Sequence, residues 1–213
     1  MRKSTIAVIG LVLVIWLTGC AHYGAKDVMP KMNEPSDRAK LSVKASGGLS
    51  VSAFLLPDEE AARCFGEELA KEGIYAVFVE IQNNAAVDVR LSVASLKLNG
   101  GQFTPITKDE VYAVMKRGWF LRSTAGWFLG LYVGAPIMAY QTSQKNKEIL
   151  QDIENKILKF GEIKKGKTEG FLFFKSSAKI LGSSSGKLSL IFEMPELAEY
   201  VLDVARQAEG KEG

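Results

Sequence analysis

Ile74-Tyr-Ala-Val-Phe-Val-Glu-Ile-Gln82 is the stretch that decides the fold, because a strand over these residues would be apolar on both of its faces. The residues of one face are Tyr75, Val77, Val79 and Ile81, and those of the first half of the other are Ile74, Ala76 and Phe78. A strand that is buried on both faces needs a cover on each side. We expect a second sheet on one side and a helix on the other.

The segment just before this strand predicts that helix. Pro57 suits a first helical position, and the acidic residues Asp58, Glu59 and Glu60 follow it where the positive end of a helix favours them. Gly73 is the predicted end. Cys64 lies within the helix among apolar neighbours, which is typical of a buried structural thiol.

Other segments also have the alternation of strands. These segments are Leu49–Leu56, Val89–Leu98, Gly170–Lys175 and Lys187–Met194. The apolar residues of Val89–Leu98 change parity, which predicts a bulge or bend around Ala94-Ser95. Tyr200–Ala205 fits a helix and a strand equally well, and we favour the strand because the preceding strand needs a partner.

Together these segments predict the α+β class, mainly β, in a single domain over residues 49–206. The expected architecture is a small antiparallel, immunoglobulin-like β-sandwich, with one short helix after the first strand and a helical insertion at 108–162. Residues 20–48 are rich in charges, glycine and proline and predict a flexible stalk. Residues 207–213 predict a solvated tail.

The insertion has two predicted helices around an uncharged middle. The helices are Asp109–Lys116 and the amphipathic Asn146–Phe160, whose apolar side has Ile149, Ile153, Ile157 and Phe160. Ala125–Tyr140 between them contains no charged residue. At 1.5 Å per residue these roughly 16 residues reach about 24 Å, which is short of a hydrocarbon core of about 30 Å. Pro136 would interrupt its last turns, so we expect no full membrane span.

This middle segment has glycines at every fourth position, Gly126, Gly130 and Gly134, which on a helix form one stripe open to close backbone approach. The series resembles the glycine zipper of membrane-associated and oligomerising proteins. Two interpretations stay open: a buried helix or helical hairpin packed on the sandwich, or a surface that enters the membrane or self-associates. The contact residues for the second interpretation are Gly126, Gly130, Gly134, Trp119, Trp127 and Tyr132.

The N terminus has the features of a secretory signal peptide over residues 1–19. Arg2 and Lys3 precede an apolar run, Ile6–Leu17, that is too short for a membrane-spanning helix. The run closes with Leu17-Thr18-Gly19-Cys20. This motif resembles the lipobox of bacterial lipoproteins, which implies lipidation of Cys20 and a membrane anchor there. By the same resemblance, Ala21 in place of Asp implies the periplasmic face of the outer membrane.

Composition and motifs argue against several classes of function. The net charge of +3 includes Arg2 and Lys3 of the signal peptide, so the mature chain gives no reason to expect nucleic acid as a partner. The single histidine, His22, lies in the predicted stalk. The folded domain therefore lacks the side chain that most often acts as a general base. Gly182–Gly186 matches G-x-S-x-G and Ser176–Lys179 matches S-x-x-K, but both lack the partners that such motifs need. We therefore assign no catalytic residue, no metal ligand and no cofactor.

A further pattern is spread over the predicted helix and strands. Its residues are Cys64-Phe65-Gly66, Leu69, Gly73-Ile74, Val77, Ile81, Asn83, Ile163, Gly166 and Gly170–Phe174. This pattern resembles that of bacterial envelope lipoproteins that have no assigned activity. The resemblance implies location and fold and adds no chemistry. The expected function is that of a non-enzymatic, membrane-anchored periplasmic lipoprotein that binds an envelope protein or supports an envelope assembly. The alternatives are a membrane-active or homo-oligomeric protein using residues 125–140, and a serine hydrolase without histidine.

Overall fold

The computed structural model describes residues 42–66, 69–98, 100–116, 135–176, 185–194 and 197–205. The strands within these ranges are β1 (Ser42–Ser46), β2 (Leu49–Leu55), β3 (Ile74–Asn83), β4 (Val89–Leu98), β5 (Gly101–Phe103), β6 (Gly161–Ile163), β7 (Gly166–Lys175), β8 (Ser185–Glu193) and β9 (Leu197–Ala205). The helices are α1 (Asp58–Phe65), α2 (108–116) and α3 (Ala135–Lys156), with a 3-10 turn at Leu69–Glu72.

These strands form two antiparallel sheets. Sheet 1 has the order β1-β2-β3-β7, and sheet 2 has the order β5-β4-β8-β9, with β6 also paired to β4. The apolar residues that face inward from both sheets make one buried cluster. The fold is thus an α+β sandwich, mainly β, as the sequence predicts.

Strand β3 is buried on both faces, as its sequence requires. Val77 and Val79 face the interior between the sheets, in the same cluster as Leu190 of β8. Phe78 faces the opposite way, into a second cluster that the helices complete. Its ring lies against Phe171 of β7 with the centroids 5.3 Å apart in an edge-to-face arrangement. The prediction of a sheet on one side and a helix on the other is confirmed.

The folded domain begins before residue 49, and in this respect the predicted stalk is too long. β1 pairs with β2 from Ser42 opposite Ala53 to Ser46 opposite Leu49. The loop between them is Gly47-Gly48, and both glycines have positive φ, 59° and 83°. A two-residue loop with two positive φ angles is the hairpin turn that suits the twist of antiparallel strands. Residues 20–48 are rich in charges, glycine and proline, which predicted flexibility for the whole segment. The hairpin turn at Gly47-Gly48 was therefore not recognised within it.

Helix α1 also ends earlier than predicted. Gly66 adopts a left-handed conformation with φ 69°, and its N–H donates to the carbonyl oxygen of Ala62. This closes the helix after Phe65, two turns before Gly73. Gly73 instead ends the 3-10 turn, and its N–H donates to Ala70 O over 3.1 Å.

The irregularity in β4 lies before the predicted position at Ala94-Ser95. The register with β8 shifts between Leu91 and Val93, so that Ser92 is the extra residue. Its hydroxyl donates to the carbonyl oxygen of Ile191 over 3.0 Å. After this bulge Val93 points outward and is 47% exposed. The bulge turns Ala94 inward and so restores the buried face of the strand.

The ambiguous segment at residues 200–205 is a strand. It belongs to β9, which pairs with β8 along its whole length, from Leu197 opposite Glu193 to Ala205 opposite Ser185. Tyr200 and Leu202 point into the interior of the sandwich. The choice of a strand is confirmed, because pairing with β8 satisfies both the backbone and the buried face.

Candidate functional site

The helical insertion divides one edge strand into two short strands. β5 pairs with the end of β4, Leu96–Leu98, and β6 pairs with its start, Val89–Leu91. Because β8 occupies the other edge of β4, strands β5 and β6 lie in line on the same edge. The chain does not continue directly from β5 into β6. Residues 104–160, which we call the excursion, leave this edge of the sheet and then return to it. This excursion carries α2 and α3, whose apolar side chains complete the second buried cluster.

Both ends of the excursion are attached to the outer edge of β7. On the way out, Ile106 N–H donates to Phe173 O over 2.8 Å. On the way back, Leu158 N–H donates to Phe171 O over 2.9 Å. These bonds place the base of the insertion at two neighbouring points of one strand, so the base is rigid.

Helices α2 and α3 cover the outward face of sheet 1. Val111 and Ile153 are fully buried in the cluster that also contains Phe171. Lys108 at the start of α2 lies 3.3 Å from the Glu154 carboxylate near the end of α3, so the helices run in opposite directions from a common base. At about 1.5 Å per residue the 22-residue α3 extends about 20 Å beyond the nine described residues of α2.

The bounds of α3 differ from the predicted Asn146–Phe160, and the insertion ends before residue 162. The helix begins at Ala135, with Pro136 in its first turn, where a missing N–H is harmless. The helix stops at Lys156, because Ile157 forms a bridge to Phe171. Phe160 is consequently 47% exposed, and residues 161–163 form β6.

A buried lysine joins the insertion to α1. Lys156 has a side chain only 4% exposed, and its Nζ lies 2.8 Å from the Asp152 carboxylate one turn earlier. The same Nζ donates to the carbonyl oxygen of Cys64 over 2.7 Å and lies 5.5 Å from the ring centroid of Phe65. A cation at this place satisfies one of the last carbonyls of α1 and opposes the negative end of that helix. Lys156, Asp152 and the Cys64 carbonyl together form a structural contact between α3 and α1, which we call the joint.

The Cys64 thiol beside this joint is not activated. Burial is the main cause that raises its pKa to about 11, and the nearby Glu60 carboxylate raises it further, against a smaller lowering by Lys156. Nucleophilic cysteines have the opposite shift, because the thiolate is the reactive form. The prediction of a buried structural thiol is confirmed.

The half of the sheet 1 outer face beyond the helices carries a polar cluster that sequence reasoning missed. Glu80 of β3 lies directly opposite Glu169 of β7, and the Nζ of Lys167 lies 2.8 Å and 2.7 Å from their respective carboxylates. Hydrogen bonding to Glu169 and then to Glu80 raises the pKa of Lys167. The one available signal was Glu80, a charge inside an otherwise apolar strand. Both carboxylates keep contact with solvent, with side chains 26% and 34% exposed, so the cluster is a surface ion-pair group.

The sequence-predicted site residues all lie outside the described residues. They are Cys20, Trp119, Gly126, Trp127, Gly130, Tyr132 and Gly134. Of the two serine motifs, Ser176 is buried, with its N–H donating to Gly73 O over 2.8 Å. Ser185 and Gly186 already belong to β8, so the second motif leads into a strand and not into the helix that a nucleophile elbow requires.

The described ranges contain no group of three or more histidine, cysteine, aspartate or glutamate side chains placed to hold a metal ion. None of the helices in the described part of the chain combines the length and the apolar character needed to cross a bilayer.

Comparison with known proteins adds no family. No protein-family model matches the chain, and no curated protein matches it either.

Proposed function

We propose that this chain is a non-enzymatic lipoprotein of the cell envelope, lipidated at Cys20 and held at the periplasmic face of the outer membrane. The observation that carries the proposal is the motif Leu17-Thr18-Gly19-Cys20 in front of a folded domain whose first strand begins at Ser42. Two or more acyl chains anchor a protein stably where a single chain does not. The residues between Cys20 and Ser42 reach at most about 70 Å when fully extended, so the sandwich can contact partners well away from the bilayer.

The role of the sandwich in this proposal is to hold a binding surface for an envelope protein. The excursion between β5 and β6 supports that role, because it adds a helical layer on a rigid base. Function in proteins is commonly carried by such additions to a stable scaffold. No enclosed group of catalytic side chains is needed for this role.

The anchor is tested by metabolic labelling with an alkyne fatty acid in a bacterial host. The wild type should incorporate the label and fractionate with membranes, and Cys20→Ala should lose both properties. Cys64→Ala is the matched control, because it removes the other cysteine and leaves the motif intact. Absence of label from the wild type, or label that persists in Cys20→Ala, would contradict the proposal.

A membrane-active or self-oligomerising protein is the second candidate, through residues 125–140. The length of α3 favours it: the helix includes residues 135–140 and extends about 20 Å past the described end of α2. Replacing Gly126, Gly130 and Gly134 together by Leu tests it, with the triple Ala variant as a control that keeps the stripe small. Loss of oligomers or of membrane insertion with an intact sandwich supports this candidate. Unfolding of the Leu variant supports core packing of the segment instead.

A further inference from the structure

Strand β9 forms one of the four edges of the two sheets, and it differs from the other three. The outer edge of β7 receives hydrogen bonds from Ile106 and Leu158 of the excursion. The opposite edge of sheet 2 is formed by β5 and β6, which have three residues each, and β1 has five. Short or covered edge strands keep a sheet from pairing with another chain. β9 has nine residues, and within the described ranges β8 is the only strand that pairs with it.

The sequence of β9 has none of the features that interrupt the pairing of an edge strand. Leu197–Ala205 contains no proline and no lysine, and its register with β8 continues without a bulge from one end to the other. Its outward side chains include Leu197, which is 75% exposed, and Val201, which is 42% exposed. At a long, regular edge of this kind an extended segment can add as a further strand.

The outward charges of β9 are both acidic. Glu199 and Asp203 lie four residues apart on the exposed side of the strand, with Val201 between them. On the inner side of the sheet edge, Glu199 accepts a hydrogen bond from Ser189 and Asp203 lies opposite Lys187. An added strand would lie on the other side of both carboxylates. Opposite charges directly across two strands stabilise the pairing of the strands, and like charges weaken it.

We propose that β9 binds an extended segment of a partner protein, which adds to sheet 2 as a new edge strand and carries Lys or Arg at two positions four residues apart. The two basic side chains pair with Glu199 and Asp203, and a small apolar side chain between them packs beside Val201. Backbone hydrogen bonds to β9 supply the affinity, and the side chains supply the selectivity. This inference rests on the binding role proposed above, for which it names the chemistry of the partner.

A second copy of β9 is the less suitable occupant of the same edge. Two β9 strands related by a two-fold axis are antiparallel, and the register centred on Val201 pairs them over their full length. In that register Glu199 of each copy lies opposite Asp203 of the other. Two like-charge contacts therefore oppose self-pairing, whereas a basic segment meets no such repulsion.

The test uses the peptide Thr-Lys-Thr-Val-Thr-Lys-Thr with blocked ends, whose lysines and valine share one face of a strand. Fluorescence anisotropy of the labelled peptide measures its affinity for the full-length chain in mild detergent. We expect saturable binding, with slower amide hydrogen exchange in Leu197–Ala205 and unchanged exchange in β1. A peptide with Glu in place of both lysines should bind about tenfold more weakly. A peptide with Pro in place of the valine should not bind, because proline removes a backbone donor.

Asp203→Lys tests the charge on the protein side. It should weaken the binding of the lysine peptide about fivefold and strengthen the binding of the glutamate peptide by a similar factor. Glu162→Lys is the matched control, because it makes the same charge change on β6, at the opposite edge of sheet 2. This control should leave both affinities unchanged at about 0.15 M salt, where distant charges are screened. Circular dichroism confirms that each variant is folded.

Three results would each overturn the proposal. They are no saturable binding up to about 1 mM lysine peptide, equal affinities for the two charged peptides, and protection from exchange that lies outside Leu197–Ala205. Protection of β9 that grows with protein concentration alone would also overturn it, in favour of a second copy. Peptide binding does not require the lipid, so these results stay separate from those of fatty-acid labelling at Cys20.

Discussion

The ammonium group of Lys156 on α3 donates a hydrogen bond to the carbonyl oxygen of Cys64 on α1, over 2.7 Å and across 92 positions of sequence. The same group is paired with Asp152. A single buried cation thus holds the end of the insertion against the first helix. Removal of one partner from a buried ion pair leaves the other charge without compensation.

Lys156→Ala should lower the free energy of unfolding by about 3 to 5 kcal/mol, because it removes the cation that pairs with the Asp152 carboxylate and donates to the Cys64 carbonyl. Urea denaturation measures the loss. Lys147→Ala on the exposed side of the same helix should change stability by no more than about 0.5 kcal/mol. A loss at Lys156 as small as that of the control would show that the joint does not hold the insertion.

Stability should fall as the pH rises from about 9 to about 11. The folded pKa of Cys64, about 11, lies above its ordinary value of 9.0, so in this window the unfolded chain releases the thiol proton and the folded chain keeps it. Burial also raises the pKa of Tyr200, which acts in the same direction. Thermal unfolding against pH measures the decline, and Cys64→Ala should make it shallower. Equal slopes for the two proteins would contradict the assignment to Cys64.

Gly48→Ala should destabilise the protein more than Gly100→Ala, although both glycines have nearly equal positive φ, 83° and 80°. The added methyl group at Gly48 would lie 2.9 Å from the Ala85 backbone, and at Gly100 it would meet nothing within 4 Å. We expect about 1 to 2 kcal/mol for the backbone strain alone at Gly100 and a larger loss at Gly48. Chemical denaturation of the two variants compares them directly. Equal losses would mean that the β3–β4 turn can move aside.

Tyr200→Phe should loosen β1. The Tyr200 hydroxyl donates to Ser46 O over 2.8 Å and so joins β9 of sheet 2 to β1 of sheet 1. Loss of this bond should lower stability by about 0.5 to 1.5 kcal/mol. Hydrogen exchange should accelerate in residues 42–46 and stay unchanged in β3. Acceleration spread evenly over both strands would indicate global destabilisation in place of a local contact.

Much of the fold could be predicted because it depends on local patterns. Alternation along Lys187–Met194 and the two apolar faces of β3 were sufficient to place strands and covers. The ends of helices and the position of the bulge were less predictable. Several nearby residues suit each role, and tertiary contacts decide which of them takes it. Gly66 ends α1 where Gly73 was expected, and Ser92 forms the bulge where Ala94-Ser95 was expected.

The polar clusters were beyond sequence reasoning. Glu80 and Glu169 become neighbours only through the register between β3 and β7, and the sequence does not state which strands pair. In the sequence, Lys156 lies on the charged side of a predicted amphipathic helix, where a lysine is usually exposed. Its burial depends on where α1 ends, about 90 residues earlier, so no local pattern reveals it.

The sequence by itself determined that residues 74–82 form a strand needing a cover on both faces, and that the remaining strands must supply a sandwich. The spacing of apolar residues carries this information, because it shows for each segment separately whether one face or both faces are buried. The tertiary structure decided that Ser42–Ser46 joins sheet 1, that β5 and β6 share one edge of β4, and that Lys156 meets Cys64. Those features depend on strand order and on contacts between distant segments. The spacing of apolar residues within one segment carries no information about either.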